Sequence, residues 1–268
     1  MKNLAYFILL ITGLVACEKE INIDLNSSDT KIVIEAEINN RNQSWVKISK
    51  TLNFSESNNF PTIENAVVTI ADDAGNSTQL IYTSNGYTNN GVYTSNNLAG
   101  VAGRIYTLTV LVEGKTYTAQ SVMPNLVNLD TVVFIPGQFG PPTADTTFAV
   151  LPIYIDPAAF GNSYRFVQTL NGKKDPAFLI ANDNINNGGI NQRPIFSFEY
   201  LPERGDTLIL EMQSINTAAY DYFNSLNQSA GEGPGGGATP ANPVSNLQGG
   251  ALGYFSAYSS QIKTYIVP

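Results

Sequence analysis

The chain has 268 residues, 43% hydrophobic and only 13% charged, so it can bury a large core while its surface relies on neutral polar residues, 30 Asn among them. Its 14 Lys and Arg against 22 Asp and Glu give a net charge of −8, which argues against a nucleic-acid partner, because phosphate binding needs clustered cations. Histidine is absent and cysteine occurs once, which excludes His-dependent nucleophile and metal chemistry, an intrachain disulfide and a thiolate zinc site. Neither a metal ion nor a cofactor is implied.

Residues 1–16 read as a secretory signal. Lys2 supplies the positive start, Leu4 to Ile11 the apolar run, and Thr12-Gly13 loosens its end; the run is too short to span a bilayer. Leu14-Val15-Ala16-Cys17 then resembles a bacterial lipobox, with small Ala16 directly before the sole cysteine. The resemblance implies cleavage between Ala16 and Cys17 and lipidation of Cys17. Such acyl chains bury many methylenes at ~0.8 kcal/mol each, so the mature protein would be tethered to a membrane rather than spanning it. Glu18 at the following position, within Cys17-Glu18-Lys19-Glu20, resembles the short charged tag of lipoproteins that reach the outer face of the outer membrane. Residues 17–30 read as a lipidated tether.

From residue 31 strand signals dominate. Ile32, Ile34, Ala36 and Ile38 alternate against Val33, Glu35 and Glu37. Further short strands are predicted at 45–49, 66–70, 78–82, 91–94, 103–110 and 115–119, with turns at 72–76 and at Glu113-Gly114. Their regular spacing indicates an antiparallel sandwich over 31–124. Pro124 marks the boundary of a second β-rich unit, 125–268. Its strands are predicted near 129–134 and at 147–155, 163–170, 195–200, 207–214 and 262–267. Thr217 to Leu226 reads as its one helix, with Asn216 as N-cap. Gly231 to Pro243 is a Gly/Pro loop. The fold class is therefore all-β: two sandwich-like units with one short helix in the second.

Two stretches are more specific. Asn65-Ala66-Val67-Val68-Thr69-Ile70, Gly91-Val92-Tyr93 and Gly103 to Val110 resemble a transthyretin-like or carboxypeptidase-regulatory-like sandwich. The ending, Asn242-Pro243-Val244-Ser245-Asn246-Leu247-Gln248-Gly249-Gly250-Ala251-Leu252-Gly253-Tyr254-Phe255-Ser256-Ala257, together with the lipobox, resembles a family of outer-membrane lipoproteins called domain of unknown function 4249. This resemblance implies a companion of a TonB-dependent outer-membrane transporter. It carries no catalytic residue set.

Other motifs have bland readings. Asp72-Asp73-Ala74-Gly75-Asn76 suits a hairpin turn better than a calcium site, and Asn182 to Gly189 departs from an EF-hand loop in its glycine, its single carboxylate and its missing closing Glu. Ser44-Trp45-Val46-Lys47 has the spacing of a serine acylase but lies in a strand, where positions three apart face opposite ways. Glu35 and Glu37 share a strand face and read as solvated rather than as a glycosidase pair. Tyr254, Phe255 and Tyr258 are candidate interface residues after a Gly-rich turn; the alternative is a plug packed against the second sheet. The leading expectation is a binding or accessory lipoprotein of an outer-membrane transporter, serving nutrient capture. The alternative is a structural or adhesive surface lipoprotein. The chain is not expected to be an enzyme.

Overall fold

The alternation in the first strand carries through to three dimensions. In the computed structural model, residues 29–41, 44–52, 60, 62–84, 91–137, 147–197, 200–229 and 242–268 are described. Seven strands build the first unit: β1 (Ile32–Asn39), β2 (Trp45–Lys50), β3 (Val67–Asp72), β4 (Ser77–Thr83), β5 (Val92–Thr94), β6 (Ile105–Val112) and β7 (Lys115–Val122). One row of β1, Ile32, Ile34, Ala36 and Ile38, is buried against Val68, Ile70, Leu108 and Val110 of the facing sheet. β4 serves both layers. Residues Ser77 to Leu80 pair with β3 and Ile81 to Thr83 pair with β5. Between β6 and β7, Glu113 and Gly114 both take positive φ, 51° and 75°, as a two-residue hairpin turn requires.

The second unit contains β8 (Thr131–Gly137), β9 (Thr147–Ile153), β10 (Ser163–Leu170), β11 (Lys173–Lys174), β12 (Leu179–Asn182), β13 (Thr207–Ile215), the helix α1 (Thr217–Ser229) and β14 (Leu252–Ile266). The β8–β9 hairpin covers one face of β10 and β13, burying Tyr164, Phe166, Leu208, Leu210 and Met212. On the other face α1 packs Ala219, Tyr222 and Phe223 onto Ile215, Tyr254 and Tyr258. Asn216 caps the helix as predicted: its side-chain oxygen accepts the Ala219 N–H at 2.9 Å. The helix runs three residues past the predicted end, to Ser229.

The two units share a strand. β14 is a single element of 15 residues where the sequence suggests an aromatic run and a separate last strand. Its first half pairs in parallel with β1, from Val33↔Leu252 to Asn39↔Tyr258. Its second half pairs antiparallel with β13, from Ser214↔Ser259 to Thr207↔Ile266. The hydrogen-bonded order β11-β10-β13-β14-β1-β2-β5-β4-β3-β6-β7 is therefore continuous. Residues 125–268 do not close into a sheet of their own, because β1 would otherwise present an unpaired edge.

Side chains finish what β14 leaves open. The Asn246 amide accepts the Phe255 N–H at 2.9 Å and donates to the Phe255 carbonyl at 2.8 Å. Ser121 Oγ accepts the Ala257 N–H at 2.7 Å. Where β14 leaves β1, the Asn40 amide accepts the Ser260 N–H at 3.0 Å and donates to its carbonyl at 3.4 Å, prolonging the ladder by one rung.

Two other strand predictions change. Residues 195–200 make only one bridge among the described residues, Val150↔Ile195; Pro194 beside it has no N–H to continue a ladder. β11 and β12, unpredicted, both pair along one edge of β10.

Gly253 makes the parallel pairing possible. Its φ is 102°, and a Cβ there would sit 2.0 Å from the Ile34 carbonyl oxygen. Gly250, also at positive φ, meets nothing nearer than Lys115 Nζ at 4.0 Å. Gly250→Ala should cost about 1–2 kcal/mol for its backbone alone. Gly253→Ala should cost more than about 3 kcal/mol, since the clash is with backbone that cannot yield. Urea unfolding of the two variants checks the difference; equal midpoints would show that β14 can shift off β1.

Candidate functional site

The second row of β1, Val33, Glu35, Glu37 and Asn39, does not face solvent as a sandwich alone would have it. Because β14, β13 and β10 extend the sheet beyond β1, this row becomes one wall of a groove common to both units. Trp45 of β2, Tyr254 and Tyr258 of β14, Glu211 and Gln213 of β13, and Arg165 and Val167 of β10 line the same cavity, whose volume is about 440 Å³. Phe178, in the segment before β12, lines this cavity and also a second one of about 320 Å³ beside α1.

Glu37 is the centre of the groove and is 7% exposed, not solvated as its place in the sequence suggests. Its Oε1 accepts from Arg165 Nη1 at 2.9 Å and from the Tyr254 hydroxyl at 2.8 Å. Its Oε2 accepts from Trp45 Nε1 at 3.2 Å and from the Tyr258 hydroxyl at 3.4 Å. Four donors from three strands thus hold one carboxylate. Arg165 rests on aromatic rings, its guanidinium 4.4 Å from the Phe223 centroid and 5.7 Å from that of Phe178. Burial, the largest influence, opposes its charge, yet Glu37, together with Tyr254 and Tyr258, holds the guanidinium above its ordinary pKa.

A second ion pair crosses between the units. Arg41 Nη2 lies 2.8 Å from Glu211 Oε1, and Arg41 Nε donates to Ser260 Oγ at 3.1 Å. Glu35 is looser, 4.0 Å from Lys47 Nζ with its side chain 37% exposed.

Burial pushes the groove tyrosines upward. Tyr254 and Tyr258 are raised first by desolvation and then by the negative charge of Glu37. Tyr222, behind Tyr254 with ring centroids 4.7 Å apart, is pushed up to about 12 by burial and then by Glu35.

The candidate interface residues are not surface anchors. Phe255 is fully buried in the first core, while Tyr254 and Tyr258 are 5% and 4% exposed, with hydroxyls on Glu37. The strand's pleat divides them between two layers, so packing replaces the interface reading. Ala16 and Cys17 lie outside the described residues, as does nearly all of the 231–243 loop. Ser44 Oγ donates to the Leu98 carbonyl while Lys47 faces Glu35, so the acylase spacing brings no pair together. Asp72 caps its own turn, accepting the Ala74 and Asn76 N–H groups; the Asn76 side chain, foremost, holds its carboxyl below the ordinary range. In the Asn-rich loop, Asp183 accepts the N–H groups of Gly161 and Asn162. No cluster of three acidic, His or Cys residues suited to a metal occurs among the described residues.

The groove can bind but is poorly made for proton transfer. Every oxygen of Glu37 is engaged by donors, which leaves it no free lone pair of use as a base. Sequence reasoning missed the groove because Glu37 and Trp45, paired across β1 and β2, meet Arg165 and Gln213, paired across β10 and β13, only through the β1–β14 pairing.

The chain belongs to the family described as domain of unknown function (DUF4249), whose model matches residues 18–264. That range takes in both units and the whole groove. No curated protein matches the chain.

Two measurements test this geometry. Glu37→Gln strands Arg165 in a buried site and should cost about 3–5 kcal/mol. Adding Arg165→Met to it should cost less than the sum of the two single changes; additive losses in a double-mutant cycle would show that the two groups do not interact. The second measurement is pH-dependent. The groove tyrosines are neutral when folded, and unfolded tyrosine ionises near pH 10. Their raised pKa values contribute stability that is complete below about pH 10 and is lost as pH rises, through about 12 for Tyr222. The melting temperature should therefore fall above pH 10, with a class of tyrosines that ionises only on unfolding in a spectrophotometric titration.

Proposed function

We propose that this chain is a lipid-anchored lipoprotein of the outer membrane, facing the cell exterior, that serves a TonB-dependent transporter as an accessory binding component. The observation that carries the binding half of this reading is the groove. It lies across both units, is lined by aromatic and hydrogen-bonding side chains, and has a volume within the range of small-molecule sites. The anchor half rests on Leu14-Val15-Ala16-Cys17 after a signal-length apolar run.

The dimensions suit the role. β1 begins fifteen positions after Cys17, a separation that a chain covers in at most about 50 Å. A body held that close to the bilayer could hand a ligand to a transporter in the same membrane. No helix among the described residues is long and apolar enough to cross a membrane.

Isolation of the native lipoprotein from outer membranes in mild detergent, with partners identified by mass spectrometry, should recover a TonB-dependent transporter. Recovery of the lipoprotein without one, at stoichiometric yield, would favour a structural or adhesive role. Cys17→Ala should abolish labelling by radioactive palmitate and release the protein from the membrane fraction. Continued labelling would refute the anchor.

A further inference from the structure

The second unit carries an apolar surface that the groove does not use. The connection from β9 to β10, residues 154–162, lies against the Asn-rich loop after β12, residues 183–191. Ile155 bridges Ile190, and the Asp156 N–H donates to the Gly189 carbonyl at 2.9 Å. Buried carboxylates fasten both loops. Asp183 Oδ2 accepts the Gly161 and Asn162 N–H groups at 2.7 and 2.8 Å, and Asp156 accepts from the Tyr164 hydroxyl and from the Gly188 N–H. Between the loops, the Asn187 amide donates to the Ala158 carbonyl at 3.0 Å.

What this frame presents to solvent is hydrophobic. Ile155, Phe160, Ile185 and Ile190 are each more than half exposed, Phe160 by 80%. Single exposed hydrophobic residues are ordinary, but four on two joined loops form a patch that calls for a partner. The charged residues within 154–162 and 183–191 are Asp156 and Asp183 alone, and both are buried. The exposed side chains of the two loops are therefore apolar or uncharged.

Topology fixes the side of the molecule on which the loops lie. β1 pairs in parallel with β14, β14 antiparallel with β13, and β13 antiparallel with β10, so β1 and β10 run in the same direction. The first loop precedes β10. The second follows β12, whose last residue, Asn182, pairs with Ser163 at the start of β10. Both loops therefore leave the sheet at the end where β1 begins. A twist of about 20–25° per strand accumulates to roughly 60–75° over three steps, which keeps the two ends on one side. β1 is entered from the segment that follows Cys17, so the proposed anchor approaches from that same side.

This placement selects the occupant. The tether keeps the side that carries the loops near a bilayer, and apolar tips with no charge to desolvate gain by entering lipid. A protein interface of stable size draws on about 20–30 residues a side, more than two loop tips present, whereas a bilayer needs no matching shape. We infer that the 154–162 and 183–191 loops dip into the lipid surface through Phe160 and Ile185, a second and reversible contact that sets the orientation of the body on the membrane. This inference rests on the Cys17 anchor proposed above.

The test uses the lipoprotein itself. Acylation of Cys17, the sole cysteine, leaves the mature chain without a free thiol. Phe160→Cys, Ile185→Cys and Ile266→Cys, each made alone, then carry one fluorophore apiece. Ile266 is 65% exposed and lies at the far end of β14, on the opposite side. Each protein is reconstituted in phosphatidylethanolamine–phosphatidylglycerol vesicles with and without doxyl-labelled lipid. Doxyl lipid should quench the fluorophores at positions 160 and 185 at least twofold and leave that at 266 unchanged. Equal quenching at all three positions, or quenching at 266 alone, overturns the orientation. Silence at all three overturns the lipid contact.

Phe160→Asp with Ile185→Asp changes exposed positions only, so the melting temperature should hold. If the vesicle probes are silent and this variant loses a co-purifying transporter, or turns a dimer into a monomer, the patch belongs to a protein partner and the inference falls. Palmitate labelling of the same preparations reports on the anchor by itself. An acylated chain with silent probes overturns the loop contact and leaves the anchor standing. A chain without acyl groups overturns the anchor; its flotation with vesicles, weakened at least tenfold by the two aspartates, would sustain the loop contact, and failure to float overturns both.

Discussion

The parallel pairing of β14 with β1 is the constraint on which the rest of the molecule depends. It joins a C-terminal strand to the first strand of the folded body, more than 200 positions away, and so closes both units with one element. A strand in this position is buried on both faces and must satisfy its main chain on both edges. On the edge away from β1, β13 serves the second half, and the side chains of Asn246 and Ser121 serve the first. Glycine at 253 is needed because the backbone of Ile34 occupies the space of a side chain. The first unit is therefore not a self-sufficient sandwich. Without β14 it would expose the edge of β1 and lose Phe255 and Ala257 from its core.

The groove follows from that pairing. On a flat sheet β1 and β10, three strand spacings apart, would stand about 14 Å from one another. The tips of Glu37 and Arg165 nevertheless meet at 2.9 Å, which requires long side chains on a concave face. Burying such a pair is not itself a source of stability, since desolvation offsets most of the attraction. What the pair does is fix geometry. Glu37 accepts donors from β2, β10 and two turns of the pleat of β14, so any slip of one strand against another breaks several bonds together.

Much of this was legible in the sequence, and the limits have physical causes. Strands with one wet face alternate, and β1, β2, β6, β7, β10 and β13 were found from that pattern within a few residues of their ends. The helix was found from its cap and composition. β14 was split because eight of its residues, Gly253 to Ser260, are shielded on both faces and so lack alternation, which returns only beyond Ser260. That change of pattern within one strand is the local signal that its surroundings change. β11 carried a signal too: Asn171-Gly172, with φ values of 50° and 82°, forms the two-residue turn of a hairpin. Glu37 was misplaced for a different reason. Its partners come from strands up to 221 positions away, and nothing local distinguishes it from the half-exposed Glu35 two residues earlier.

The same architecture bears on how the groove would work. Its walls are strands of one hydrogen-bonded sheet, not domains hinged on a linker, so the site is largely formed before a ligand arrives. A preformed site loses little freedom on binding, which favours capture over induced closure. Catalysis would ask for a group free to exchange a proton, and the central carboxylate instead has its oxygens taken by Arg165, Trp45 and two tyrosines. On the proposed reading the chemistry left over is recognition, in a groove lined by Trp45 and by three cations and three acids. On the proposed role, a ligand gripped through buried ion pairs would be slow to leave for a transporter.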